Sequence, residues 1–284
     1  MKRLWSAACG CLLAGAVMAA GPGAVRRQVE ASMVVTGTLV VAPDGSVGSY
    51  RLDRPERLPA PVVDLIGRNV PRWKFEPVVR DGKPVAAKAR MSLRVVARPI
   101  EGDDQNYALS IRGTHFGDAA GSLGFKEHRQ GPHYPEMAAR GHVEGTVYLL
   151  LKVDRQGKVV DAVAQQVNLA AIGSEHLLQA WREAFAKSAL QAARTWTFNV
   201  SADGEDAETE FHYARVPVHY QLGERGQLAP DPYGRWEVYV PGPYQAVPWF
   251  DKEGMISGVD ALPDDGLYDV GHPGPVLLTP PGGA

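Results

Sequence analysis

The chain has 284 residues, a formal charge of −2, and 45% hydrophobic against 22% charged residues. That length can bury a sizeable core, the apolar content excludes a disordered polyelectrolyte, and the near-neutral balance excludes a basic nucleic-acid surface. Both cysteines, Cys9 and Cys11, fall near the start, so the rest of the chain can carry neither a disulfide framework nor thiolate chemistry.

The first residues read "MKRLWSAACGCLLAGAVMAAGPGA". A positive start at Lys2 and Arg3, an apolar run to Ala20 and small residues at Val17, Ala19 and Ala20 form the layout of a secretory signal. The run is shorter than the roughly 20 residues that a bilayer-spanning helix needs. Residues 1–20 are therefore expected to be a cleaved signal peptide, placing the rest in the periplasm. Loss of Lys2 and Arg3 takes the formal charge to −4.

Residues 29–98 begin with two β-branched runs flanking Pro43-Asp44-Gly45, the pattern of a tight hairpin. In "LPAPVVDLIGRNVPRW" Pro61 suits a first helical turn, Val62, Leu65, Ile66 and Asn69 share a face, and Pro71 ends the helix. Trp73 and Phe75 open an extended segment that turns at Asp81-Gly82. Then Ala87, Ala89, Met91, Leu93 and Val95 alternate with Lys88, Arg90, Ser92 and Arg94, which predicts a strand wet on one face. Residues 99–128 read as a glycine-rich linker holding one short strand, "NYALSIRG".

Residues 129–222 repeat the order. A hairpin turns near Gln156-Gly157. A helix follows with an apolar stripe of Leu177, Trp181, Ala184, Phe185, Ala189 and Ala192, capped by Ser174. Trp196 and Phe198 come next, then Asp203-Gly204, then "TEFHYARVPVHYQL". The fold class predicted is α+β: two small ββαβ(β) units with antiparallel sheets, the first a degenerate copy. After Leu222 proline and glycine dominate, with Trp236, Tyr239, Trp249 and Phe250 interspersed. Residues 223–284 are expected to wrap irregularly on a domain and end loosely.

Residues two apart on a strand share a face, so Trp73 with Phe75, and Trp196 with Phe198, are expected to roof each core beneath its helix. In "EFHYARVPVHY" the alternation changes phase, which predicts a bulge near Ala214–Arg215. Pro217 cannot donate to a central ladder, so its amide side belongs at an edge. That edge serves equally as a guard against aggregation or as a ligand platform.

The stretch "GPHYPEMAARGHVEGTVYLLLKVDRQGKVVDAV", the helix, and "ARTWTFNV" resemble the periplasmic C-terminal domain of TonB. The matching features are Tyr134-Pro135, Ala138, Gly141, Gly145, Gly157, Trp196 and Phe198, across residues 129–222. Residues 29–98 resemble a second copy without the Tyr-Pro lead-in. The resemblance implies a non-enzymatic, cofactor-free protein of TonB-dependent transport that grips the TonB-box segment of outer-membrane receptors by strand addition. It implies partner contacts at Phe211, Tyr213, Arg215, Pro217 and His219 on the edge strand, and at Arg129, Gln130 and Gly131 before Tyr-Pro. It further implies core roles for Trp73, Phe75, Tyr134, Pro135, Trp181, Trp196 and Phe198. The apolar N-terminal run lacks the histidine of the energy-coupling anchor, and no long Pro-rich spacer follows, so force transmission is not expected.

An enzyme finds no support in the motifs. His115, His128, His133, His142, His176, His212 and His219 form no zinc pattern, and no G-x-S-x-G, phosphate loop or kinase set occurs. No metal, cofactor or nucleic acid is expected. The partners implied are envelope proteins, TonB-dependent receptors among them, or a second copy. The rival reading is a structural envelope protein whose units dock on each other. Contact with a polysaccharide through the tail aromatics is a third.

Overall fold

Alternating β-branched runs and hairpin glycines build two antiparallel sheets, and each gains a helix on one face. The chain is thus mixed α+β with few helices. This computed structural model describes residues 30–117, 123–126, 130–200, 209–223, 231–250, 258–264, 266–270 and 274–282. The signal-like segment, the Asp203-Gly204 turn and Arg129 lie outside the described residues.

In the first sheet β1 (Glu30–Val41) pairs along its length with β5 (Ala87–Ile100), and β5 with β6 (Asp103–Phe116). The other edge of β1 holds β2 (Val47–Leu52) at one end and β12 (Glu237–Tyr239) at the other. Residues 103–116, expected within a linker, are therefore a full strand of this sheet. Helix α1 (Ala60–Asn69) buries Val62, Leu65 and Ile66 against it, with Trp73 2% and Phe75 1% exposed in the same core. The Asp81-Gly82 turn joins β3 (Val79–Arg80) and β4 (Lys83–Pro84), both turn residues having φ near the left-handed value.

Two short elements precede the second sheet: β7 (Leu123–Phe125), which pairs with β10 (Phe198–Val200), and α2 (Glu136–Arg140). The sheet itself runs β13 (Tyr268–Asp269), β11 (Phe211–Tyr220), β8 (Gly145–Asp154), β9 (Val159–Leu169). Helix α3 (Glu175–Ala193) covers one face, and the Ser174 hydroxyl accepts the Leu177 amide at 3.4 Å as its cap. The buried stripe is Leu178, Trp181, Phe185, Ala189 and Ala193. Leu177, expected inside, is 44% exposed. The α3 axis sits one residue further round than the apolar pattern suggested, a rotation that leaves Trp181, Phe185 and Ala189 in place.

The two Trp-x-Phe segments make matching bonds. Phe75 N donates to Gly45 O at 2.8 Å, and Phe198 N donates to Gly157 O at 2.7 Å. Gly45 and Gly157 both have φ +78°, and a Cβ on either would overlap the carbonyl oxygen of its phenylalanine. Only glycine lets each hairpin turn lie so close to that backbone.

The helix-free faces of the two sheets meet. Ser92 and Arg94, expected in water, are 3% and 8% exposed. A second sheet docking on β5 is invisible to a pattern read along one strand. The 3-10 turn Val259–Ala261 is wedged there. Ser92 Oγ donates to Ala261 O, and Arg94 donates to Asp260 O, to Ser32 Oγ at 2.7 Å and to Tyr148 Oη at 3.1 Å. Tyr239 Oη and Asn168 Nδ2 donate to the Asp260 carboxylate. A buried guanidinium needs such a shell, since an unpaired charge would cost several kcal/mol.

The described parts of the segment after Leu222 are docked, the last of them at Gly282, and the final two residues lie outside the described residues. The segment adds β12 to the first sheet, bridges Val240 to Leu169 on the free edge of β9, and adds β13 to β11. Its last described contact is with β6, where Ile111 N donates to Gly282 O at 3.0 Å. Every long strand edge thus meets tail backbone somewhere, which is how an all-protein solution avoids open edges.

Candidate functional site

The outer edge of β11 is the place the sequence singled out for partner binding. Its ladder with β8 runs unbroken from Phe211↔Asp154 to Tyr220↔Gly145, so the expected bulge at Ala214–Arg215 is absent. The register shifts lie in the β8–β9 pair instead. The phase change has another cause: both faces of β11 are covered. Ala214, Val216, Val218 and Tyr220 enter the core under α3, while Tyr213 joins a second apolar cluster of Leu150, Val247, Phe250 and Val270.

Val270 N donates to Tyr213 O at 3.0 Å. Backbone groups alternate sides along a strand, so Tyr213, Arg215, Pro217 and His219 all present their main chain to this edge. The missing N–H of Pro217 therefore falls outside the β8 ladder. The edge is already in use. Residues 268–270 run antiparallel along it, pairing Ala214↔Asp269 and Arg215↔Tyr268, and the Asp264 carboxylate is 3.7 Å from His219 Nδ1.

The five edge residues lie as follows. Phe211 is half-buried beneath Lys152, whose Nζ sits 3.8 Å from the ring centroid. The Tyr213 ring stacks on Trp249 with centroids 5.9 Å apart. Arg215 is 1% exposed, its Nε donating to Gln165 Oε1 at 2.7 Å. Pro217 is buried and stands opposite Tyr148. His219 is half-buried, with Nδ1 3.0 Å from Thr146 Oγ1. In the segment before Tyr-Pro, Gly131 is exposed, and Gln130 offers its carbonyl to Trp196 Nε1 at 2.8 Å. Gln130 thus anchors the indole by its main chain.

The expected core residues divide between the two cores: Trp73 and Phe75 lie in the first, Tyr134, Trp181, Trp196 and Phe198 in the second, and Pro135 is half-buried. Trp196 and Phe198 are 3% and 1% exposed beside Trp181. Tyr134 donates to Val143 O at 2.7 Å and sets its ring edge-on to Phe185 and Tyr220. Burial pushes the Tyr134 and Tyr220 phenols up to about 12, so both stay protonated donors. Pro135 precedes α2 as its cap residue.

No family model, curated protein or solved structure matches the chain.

A cleft of about 340 Å³ opens where the ends of β8 and β11 meet β1 and β12. Arg94, Thr146, Asn168, His219, Glu237 and Asp264 line it. Burial raises the pKa of Glu237. For Arg94, burial works against the charge, but Tyr148, Asp260 and Tyr239 outweigh it and the net direction is upward. Burial likewise raises Tyr148 and Tyr239, which remain neutral hydrogen-bond donors to this network.

Sequence reasoning missed Tyr268, Asp269 and Val270, the residues that sit on β11, and Asp260, which centres the inter-sheet network. The one trace of the former is "GLYDV", a short apolar run amid proline and glycine. Nothing local marks Asp260.

Proposed function

We propose that the protein is a non-enzymatic periplasmic binding protein built from two TonB C-terminal-like ββαβ units, and that it engages extended segments of envelope partners by adding them to the β11 edge. The carrying observation is the segment 268–270 lying antiparallel along that edge, paired with Ala214 and Arg215 and donating the Val270 amide to Tyr213 O. It supports an edge that takes main chain from an added strand. Among the described residues the resident segment pairs at two ladder positions. A receptor segment of the TonB-box type, pairing from Tyr213 toward His219, would form more main-chain bonds and displace it.

Duplication supports the unit reading. In each half a hairpin glycine closes on the Trp-x-Phe phenylalanine, and an isolated bridge follows the glycine, Ser46↔Lys74 in one and Lys158↔Thr197 in the other. The signal-like run at Leu4–Ala20 fits an exported binding protein.

The structural rival, in which the units only dock on each other, draws on the burial of Arg215 and the tail already seated there. A cysteine scan separates the two. With Cys9 and Cys11 confined to the signal-like segment, His219→Cys supplies a single thiol beside the edge. Synthetic receptor N-terminal segments, each carrying one cysteine at successive positions, are offered under oxidising exchange. Strand addition predicts disulfides at alternate peptide positions, and none with an exposed control, Arg140→Cys. Equal cross-linking at both sites removes the proposal.

A further inference from the structure

The extended segment Trp73-Lys74-Phe75 has an edge that is distinct from β11 and is filled from far along the chain. Phe75 bridges to Leu277, Glu76 N donates to Val276 O at 2.9 Å, and Leu278 N donates to Lys74 O at 2.8 Å. Trp73 Nε1 donates to Pro281 O at 3.2 Å. Leu277 packs on the first core.

The second half repeats this arrangement with a different sequence. Phe198 pairs with Phe125, Lys126 N donates to Thr197 O at 3.3 Å, and Trp196 Nε1 donates to Gln130 O at 2.8 Å. Phe125 packs on the second core and meets Trp196 and Phe198 ring to ring. Residue for residue, Phe125 corresponds to Leu277, Lys126 to Leu278, and Gln130 to Pro281 with one residue of slack.

Two unrelated stretches, "LGFK" with Gln130 and "PVLL" with Pro281, therefore sit in one register on one kind of edge. The second half draws its stretch from just ahead of itself. The first half, which lacks that lead-in, draws it from the other end of the chain. What the two occupants share defines what the edge reads. The occupant is extended. It carries a large apolar side chain opposite the phenylalanine, and the next amide donates to the residue between Trp and Phe. A carbonyl four or five residues beyond the apolar one accepts the indole N–H. The residue after the apolar one is lysine in one occupant and leucine in the other, and proline is accepted at the end.

We infer that the Trp73–Phe75 edge is a peptide-binding site for extended segments of this pattern, and that the chain's own residues 274–282 are its resident ligand. Because the ligand is tethered, the site in the intact chain is masked by a high effective concentration. The inference stands apart from the β11 proposal, since it concerns another strand and another occupant.

The test uses the full chain. Leu277→Asp places a carboxylate against the core and should release the tail. A fluorescein-labelled peptide of sequence GPVLLTPPGGA is titrated against wild type and L277D, with anisotropy as the readout and circular dichroism confirming the fold. The expected result is binding to L277D at least about tenfold tighter than to wild type, whose site is competed by its own tail. The same peptide with aspartate in place of its first leucine should not bind. A folded L277D chain that binds the peptide no better than wild type overturns the inference. If L277D does not fold, a specific protease site placed between Val270 and Gly274 of the wild-type chain decides. After cleavage the terminal fragment should stay bound and exchange with labelled peptide, or free peptide should restore a fold lost on cleavage. A nicked chain that sheds its fragment and keeps its fold, or that cannot be restored, also overturns it.

Discussion

His115 on β6 stands opposite Ser92 in the first sheet, with its ring edge-on to Tyr268 of β13 at 5.1 Å between centroids. Burial, and then the nearby Arg215 charge, lowers its pKa to about 4. Its Nε2 is buried without a hydrogen-bond partner among the described residues. The folded-state value lies below the ordinary 6.5, so the neutral ring's stability is intact above that pH and is lost as pH falls toward 4. A drop of that size corresponds to roughly 3 kcal/mol. Urea unfolding at pH 7 and pH 4.5 should show much of this loss, and His115→Phe should remove it. A second single-residue prediction concerns Gly157. Alanine there would combine φ +78° with overlap on Phe198 O, so Gly157→Ala should cost well over about 1 kcal/mol in thermal unfolding. Gly48, whose φ is ordinary and whose surroundings leave room for a Cβ, should tolerate the same change.

At the scale of elements, β13 is held by two ladder pairs, one further amide and the burial of Tyr268 and Val270. Val270→Pro removes the donor to Tyr213 and should cost roughly 2 kcal/mol. It should also raise the affinity of an added strand for β11, measured by peptide titration, because the competing segment has been weakened. How far such elements could be read in advance depended on whether their cause was local. The hairpin at Asp44-Gly45, the Pro61 start, the Ser174 cap and the paired Trp-x-Phe aromatics all follow from neighbours in sequence, and each stands where those neighbours put it. The α3 stripe was legible to within one residue, because an alanine-rich helix offers Leu177 and Leu178 as near-equal candidates. Ser92 and Arg94 look like a solvated face because nothing on β5 announces a second sheet. β13 was illegible for a different reason: two residues joined by backbone bonds to a distant strand leave no periodicity. Of the candidate site, Pro217 at the outer edge could be argued from its missing amide, whereas the burial of Arg215 depends on Gln165 and the tail.

For the molecule as a whole, the tail couples the two halves. Residues 258–264 fill the space between the helix-free faces, and Arg94 meets Asp260 and Tyr148 there. Replacing Arg94 by alanine leaves the Asp260 carboxylate buried without its cation and should cost about 3 kcal/mol or more. A chain ending at Gly223 would uncover β1, β9, β11 and the inter-sheet face together. It should elute as larger assemblies than the full chain in size-exclusion chromatography, since open edges and bared apolar surface both drive association. The proposed function requires β11 to accept main chain from another segment while its own tail gives way. The direct measurement is hydrogen exchange on the full chain, with and without a saturating receptor N-terminal segment. The account predicts that the Val270 amide loses protection, outer-edge amides near His219 gain it, and the β8–β11 ladder stays protected. Unchanged protection at Val270 and His219 under saturating segment would contradict it.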